Sequence, residues 1–385
     1  MDRRDYGMTL RFVAATLFMM VASAASADEY HCSDRNGHGD ELLRELYTYA
    51  LFAEAADSGK LPSWQCEAPE AELIRKPQGW DAAVPKFQRL TKAELKEYGW
   101  SEIANSFRDL GRNIGAYIPE DGGPVYVVCD DNPRNIKLFL TWSQIRANIE
   151  EFFFPIVVPV VLAIDFTEAA ITQEGLRTVT FQLDGDLSEG EEGHYPGTVT
   201  AIPGTDFSKL RESKTSWNDL DGGSCIFEFM AAFADRAWSG ADELYVFSGH
   251  SLGGSVAQYV AQQLAPEGGQ ANGDDTANMI NFQAYAFNAI GLDESRGANP
   301  QTLYSFYIED DPVVDLGGDK GRIQGGHVLR YTPPPTTSNW SKLKNLWEEA
   351  TFKWHRLSAV QEGLCDCMKG RGNLSTTMRS STRGN

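Results

Sequence analysis

The chain has 385 residues, of which 42% are hydrophobic and 23% charged, and its 54 acidic and 34 basic residues give a net charge of −20 at pH 7. This composition is that of a globular protein and excludes a disordered chain, a collagen, a coiled coil and a polytopic membrane protein. The negative surface would repel phosphate backbones, so nucleic acid is not an expected partner.

The start of the chain has the pattern of an export signal. Arginines at positions 3 and 4 precede a largely apolar stretch over residues 12–21, and Ala-Ser-Ala ends at Ala27. The stretch is shorter than the ~20 residues that span a bilayer, so we expect a signal peptide over residues 1–27 and no stable membrane anchor. The protein is therefore predicted to be secreted or periplasmic.

Six cysteines follow the signal. In an exported chain an even number favours disulfides, here up to three, and the spacing leaves all 15 pairings open. No cysteine pair has zinc-ligand spacing, and the histidines are scattered along the chain. We expect structural disulfides, no metal and no cofactor.

The part of the chain after the signal begins with helical patterns. Apolar residues recur on one face of residues 41–56, and a short helix is expected near residues 92–98. We expect residues 28–112 to form a mainly helical region packed on a larger domain over residues 113–365. That domain opens with a β-hairpin of strands 114–118 and 125–129 around a glycine-containing turn.

The larger domain then changes its pattern. The apolar run 152–164 contains two prolines and predicts a buried segment rather than a membrane helix. From residue 198 onwards strands alternate with helical stretches, which predicts an α/β fold with a mostly parallel sheet and helices on both faces. The predicted strands cover residues 199–202, 244–248, 279–287 and 303–308, and a predicted helix covers 254–264. Residues 366–385 are predicted to form a disordered basic tail.

One motif of the α/β part carries chemistry. Gly249-His250-Ser251-Leu252-Gly253 follows an apolar strand and precedes a helix, which is the setting of a G-x-S-x-G nucleophile elbow. The glycines allow the sharp turn, and the strained turn pushes the hydroxyl of Ser251 out above the sheet. We predict Ser251 as a nucleophile, and we expect His250 to point away from the elbow as a packing residue.

A serine nucleophile needs a base and an orienting acid, and with this motif they follow in the order acid, then histidine. Only His327 and His355 come after Ser251. Asp311 is the favoured acid because it follows the predicted strand 303–308. The nearby alternatives are Asp310 and Asp315.

The tetrahedral intermediate of acyl transfer also needs backbone N–H donors. One is expected from Leu252, directly after the nucleophile. The other is expected from Thr205 in the loop after strand 199–202, where Gly204 allows a tight turn.

These segments, together with Trp217-Asn218-Asp219-Leu220, resemble the class 3 (fungal-type) lipase family of α/β-hydrolases over about residues 198–313. The resemblance implies the α/β-hydrolase fold and a lid over residues 207–221, where an ordinary polar surface loop stays an open alternative. It favours His355 as the base, because the family places that histidine some tens of residues beyond the acid. The length of the intervening chain also favours His355. More residues separate it from Asp311 than separate His327, which leaves room for a further strand and helix before the chain returns to Ser251.

The sequence thus predicts a secreted serine hydrolase that cleaves carboxylic esters of acyl lipids through an acyl-enzyme. Its activity would be of the triacylglycerol lipase or phospholipase A type, with the acyl-ester substrate met at a lipid–water interface. Two alternatives stay open. One is an esterase acting on cell-wall or small acyl esters, and the other is a non-catalytic binding protein that retains the elbow.

Overall fold

The computed structural model describes residues 28–32, 38–58, 60–66, 80–109, 113–120, 122, 124–130, 174–184, 197–205, 225–238, 243–264, 282–293, 302–319, 322–333 and 355–378. The predicted signal peptide, the apolar run 152–164 and the predicted lid 207–221 lie outside these residues.

The described residues form 13 strands and eight α-helices, with a 3₁₀ turn at Val84–Lys86. The strands are β1 (Asp28–His31), β2 (Phe87–Arg89), β3 (Asn113–Tyr117), β4 (Val125–Asp130), β5 (Glu174–Leu183), β6 (Thr198–Ile202), β7 (Tyr245–His250), β8 (Phe282–Phe287), β9 (Leu292–Asp293), β10 (Leu303–Ile308), β11 (Arg322–Ile323), β12 (His327–Thr332) and β13 (Asn373–Met378). The helices are α1 (His38–Ser58), α2 (Trp80–Ala83), α3 (Lys92–Glu97), α4 (Trp100–Asp109), α5 (Cys225–Trp238), α6 (Leu252–Leu264), α7 (Pro312–Asp319) and α8 (Leu357–Met368).

Eleven of the strands form one sheet, in the order β1-β13-β12-β10-β8-β7-β6-β5-β4-β3, with β2 paired to β5. The five central strands, β6, β7, β8, β10 and β12, run parallel. The strands at both edges run antiparallel. The predicted α/β class is confirmed, but the parallel arrangement is confined to the centre. At one edge β3 and β4 are joined by a short hairpin, which can only pair antiparallel strands.

Helices cover both faces of the sheet. On β7, Val246 lies in a buried cluster with residues of α1 and α8, such as Phe52 and Leu364. The next residue, Phe247, lies in a second cluster with residues of α6, such as Val256. Because successive side chains of a strand point to opposite faces, α1 and α8 cover one face, here called the α1 face. The helices α5 and α6 cover the other. No helix within the described ranges combines the length and apolar content that a membrane crossing requires.

The region 28–112 is more deeply built into the sheet than expected. The predicted first helix is present as α1 and the predicted short helix as α3, which begins with a capping box between Thr91 and Glu94. However, β1 and β2 belong to the main sheet, and α1 covers its centre. The described part of this region is mainly helical, and its two strands and its first helix belong to the same core as the central sheet.

The prediction of a disordered tail over residues 366–385 is wrong for the part that the structure describes. Helix α8 continues to Met368, and β13 then lies between β12 and β1 as an antiparallel strand. Pairing on both sides satisfies the backbone of β13, so this polar strand does not need an apolar pattern to be held. The tail expectation for residues beyond 378 lies outside the described residues.

All six cysteines are paired. The disulfides join Cys32 to Cys367, Cys66 to Cys365 and Cys129 to Cys225, with Cα–Cα distances of 4.9, 5.5 and 6.3 Å. Two of the bridges fasten α8 to the segments before and after α1. The predicted disulfides are confirmed, and the Cys-x-Cys sequence anchors one helix at two neighbouring points.

Candidate active site

Ser251 lies at the sharp turn between β7 and α6. Its backbone has a φ of 55°, in the left-handed region that residues other than glycine rarely adopt. The turn is held because the Ser251 N–H donates to the Phe287 carbonyl at 2.9 Å, and the Ser251 carbonyl accepts from the Ser255 N–H at 3.0 Å. The chain thus stores local strain at the residue that the sequence predicts as nucleophile.

The two glycines of the motif are required by close backbone contacts. A Cβ on Gly249 would lie 2.1 Å from the carbonyl oxygen of Gly253. A Cβ on Gly253 would lie 2.2 Å from the carbonyl oxygen of Ile202, at the end of β6. Strand β7, the start of α6 and the end of β6 therefore approach one another as closely as backbones can.

The structure brings Ser251, His355 and Asp311 together. The Nε2 atom of His355 lies 2.7 Å from the Ser251 hydroxyl oxygen. The other ring nitrogen, Nδ1, lies 3.0 and 3.1 Å from the two carboxylate oxygens of Asp311. Since a carboxylate only accepts, Nδ1 carries the proton and Nε2 is the acceptor that faces the serine hydroxyl. All three side chains are buried.

Asp311 owes its position to the start of α7. It precedes Pro312, the first residue of the helix, and its Oδ1 accepts the Val313 N–H at 2.8 Å, as an N-cap residue does. Asp311 is fully buried, whereas Asp310 and Asp315 are exposed. Of the three predicted acids, the structure places Asp311 against His355.

The other histidine that sequence order allows is far from the nucleophile along the sheet. His327 begins β12 and stacks on Tyr304 near the start of β10, with ring centroids 4.9 Å apart. Ser251 lies beyond the opposite, carboxyl end of the parallel strands. His327 and Ser251 therefore lie at opposite ends of the parallel strands.

Of the predicted N–H donors, Leu252 directly follows Ser251, and Thr205 follows Gly204, which lies close to Ser251. Leu252 opens α6, so its N–H has no acceptor within the helix. Ile202 is the register partner of Gly249, and the loop Pro203-Gly204-Thr205 therefore begins beside the elbow. A Cβ on Gly204 would lie only 3.3 Å from the Cβ of Ser251. The positions of Leu252 and Thr205 suit an oxyanion hole, and the positive end of the α6 dipole favours negative charge there.

His250 is buried, as a packing residue should be, but the prediction that it points away from the elbow is wrong. Its buried side chain does not point away from the site: Nε2 lies 2.5 Å from the backbone carbonyl oxygen of His355, and the two rings are 5.1 Å apart. Burial, with the neighbouring His355, lowers the pKa of His250 to about 3. Alternation along β7 could have placed His250 on the face of Val246 and Ser248, but not beside His355.

The site is built from serine, histidine, carboxylate and backbone groups. Within the residues that the structure describes, no group of three or more His, Cys, Asp or Glu side chains could hold a metal ion.

Comparison with known proteins adds little to this geometry. The chain is similar to Tiger protein E1 of Dictyostelium discoideum, with 24% identity over 157 residues that make up 38% of this chain and 17% of that protein. No family model matches the chain, and no solved structure matches it. The function is therefore inferred from the geometry of Ser251 and its partners.

Proposed function

We propose that this chain is a secreted serine hydrolase of the α/β-hydrolase fold that cleaves carboxylic esters of acyl lipids. The observation that carries the proposal is the continuous hydrogen-bond chain from Ser251 through His355 to Asp311, with contacts of 2.7 and 3.0 Å. A serine whose hydroxyl faces a correctly protonated imidazole is a nucleophile, because the imidazole can take its proton as the oxygen attacks.

The first half of the reaction forms an acyl-enzyme. The Ser251 oxygen attacks the ester carbonyl while Nε2 of His355 accepts its proton, and Asp311 stabilises the resulting imidazolium. The negative charge on the carbonyl oxygen meets the N–H groups of Leu252 and Thr205. His355 then gives its proton to the leaving alcohol, the ester C–O bond breaks, and the acyl group stays on Ser251.

The second half reverses these roles with water. His355 accepts a proton from water, the hydroxide attacks the acyl carbonyl, and the proton returns to the Ser251 oxygen as the carboxylic acid leaves. The same residues serve both halves and act as a unit, so loss of any one of them should lower turnover nearly as much as loss of all three.

The substrate class follows from the resemblance of residues 198–313 to class 3 lipases. We assign a triacylglycerol lipase or phospholipase A type of activity, with the substrate met at a lipid–water interface. The three disulfides favour an oxidising compartment, in keeping with the export signal predicted for residues 1–27.

The proposal is tested with Ser251→Ala and a fluorophosphonate probe. Wild type should be labelled and should hydrolyse p-nitrophenyl esters, whereas Ser251→Ala should lose labelling and about 10⁴–10⁶ of turnover. The matched control is Ser106→Ala, an exposed serine on α4, which should behave as wild type. An unlabelled, inactive wild type would refute the hydrolase and favour a binding protein.

A chain-length series then tests the substrate class. Rates are measured on p-nitrophenyl esters from acetate to palmitate, with and without an emulsion. A lipase should prefer long chains and gain rate at the interface. Preference for acetate with no interfacial gain would refute the lipid assignment and favour an esterase of small acyl groups.

A further inference from the structure

The side chain of His250 joins three segments of the site. It stands at the end of β7, directly before Ser251, and on the α1 face of the sheet. Its Nε2 lies 2.5 Å from the carbonyl oxygen of His355. On its other side, a Cβ on Gly204 would lie 2.8 Å from Nδ1 of His250, so the ring also packs against the loop that follows β6.

The partners of the ring fix its protonation. A backbone carbonyl oxygen only accepts, so Nε2 of His250 carries a proton and donates a hydrogen bond to the carbonyl oxygen of His355. Because burial lowers the pKa of His250 to about 3, the ring stays neutral at neutral pH and Nδ1 keeps its lone pair. A neutral ring does not oppose the positive charge that His355 acquires during proton transfer.

We propose that His250 is a positioning residue that holds the backbone of His355 so that its imidazole stays within reach of Ser251. Asp311 fixes the ring of His355 at Nδ1, but it does not fix the backbone that carries the ring. His250 supplies that second anchor from the same strand that ends in the nucleophile. The inference rests on the proposed hydrolase function and adds a residue that does not contact the reacting atoms.

The expected effect follows from how strongly proton transfer depends on position. A displacement of about 1 Å can lower a rate about 100-fold. Loss of the His250 hydrogen bond should therefore lower kcat by about 10- to 100-fold. KM should change by less than about twofold, because His250 contacts the backbone of His355 and not the substrate.

A matched pair of substitutions separates positioning from packing. In His250→Gln the amide nitrogen can occupy the place of Nε2 and still donate to the His355 carbonyl, whereas His250→Phe fills the space without a donor. The control is His327→Phe, which removes a histidine at the opposite end of the sheet. If His250→Phe does not fold, His250→Asn replaces it, because its shorter amide cannot reach the carbonyl.

Two readouts are used, and only one needs activity. The first is kcat and KM for a p-nitrophenyl ester. The second is the strongly downfield proton NMR line of the Nδ1 proton shared between His355 and Asp311, assigned by its loss in His355→Ala. We expect His250→Gln and His327→Phe to keep both, within about threefold in kcat. In His250→Phe we expect the fall in kcat and broadening of the line by exchange with water.

Equal behaviour of His250→Phe and wild type in both readouts would overturn the inference, and so would an equal loss in His250→Gln and His250→Phe. If wild type neither hydrolyses esters nor reacts with the fluorophosphonate, the proposed function fails. In that case the NMR line alone decides whether His250 positions His355.

Discussion

The two carboxylate oxygens of Asp311 are held differently, and this makes Asp311→Asn a sharp test of the site. Oδ1 accepts the Val313 N–H at 2.8 Å, while Oδ2 is the oxygen nearer to Nδ1 of His355, at 3.0 Å. The amide of asparagine has one acceptor oxygen, and the Val313 N–H should retain it. The NH₂ group then takes the place of Oδ2 and donates to Nδ1 of His355.

A histidine that accepts at Nδ1 carries its proton on Nε2. It can no longer accept the Ser251 proton across the 2.7 Å contact, although every side chain stays where it was. We expect kcat to fall about 10⁴-fold, which at about 1.36 kcal/mol per decade is ~5.5 kcal/mol of transition-state stabilisation. Asparagine and aspartate have nearly the same volume, so the folded structure should persist.

The assay is the kcat of p-nitrophenyl ester hydrolysis, with the thermal midpoint measured alongside. The control is Asp310→Asn, at an exposed position with a φ of 65°, a conformation that asparagine tolerates well. The reasoning is refuted if folded Asp311→Asn keeps kcat within about tenfold of wild type. A comparable loss of kcat in Asp310→Asn would show that Asp311 is not the acid that orients His355.

Three further outcomes are expected. Gly253→Ala should destabilise the fold by about 1–3 kcal/mol, because its Cβ would lie 2.2 Å from the Ile202 carbonyl; an unchanged urea midpoint would contradict this. Burial lowers the pKa of His250 from 6.5 to about 3, so the unfolded chain binds a proton at higher pH than the folded chain does. The free energy of unfolding should therefore be highest above pH 6.5 and fall as the pH drops towards 3. The slope should reach at most about 1.4 kcal/mol per pH unit. His250→Gln should remove that part of the slope in denaturation at stepped pH, and equal slopes would count against it. Thiol titration of denatured, unreduced protein should detect none of the six cysteines, and Cys367→Ser, which opens the bridge to Cys32, should lower stability by about 2–5 kcal/mol.

Much of the fold was predictable because its signals are local. The strand before Ser251, the helix after it and the hairpin of β3 and β4 were all expected within a few residues of where they lie. Each depends on a run of apolar residues, a period of two or 3.6, or a glycine turn. Asp311 could also be predicted from the sequence, because it lies in the turn directly after the predicted strand 303–308.

Residues that meet across the sheet were less accessible. Sequence order left both His327 and His355 open, and only family resemblance and reach favoured His355. The 2.7 Å contact of His355 with Ser251 exists only in the folded chain. The meeting of the Cys-x-Cys pair of α8 with Cys32 and Cys66, across sequence separations of 335 and 299 residues, had no local sign.

The amino-acid sequence by itself determined the elbow and the alternation of central strands with helices, because these depend on neighbours along the chain. It also limited the candidate acids to three and the candidate bases to two. Only the tertiary structure decided the role of His250 and the place of residues 373–378. Alternation puts His250 on one face of β7, but the arrangement of α1, α8 and the loop before α8 decides what that face meets. The strand β13 is polar and is held by backbone pairing to β12 and β1. Backbone N–H and C=O groups are the same in every residue except proline, so no side-chain pattern predicts the pairing of β13.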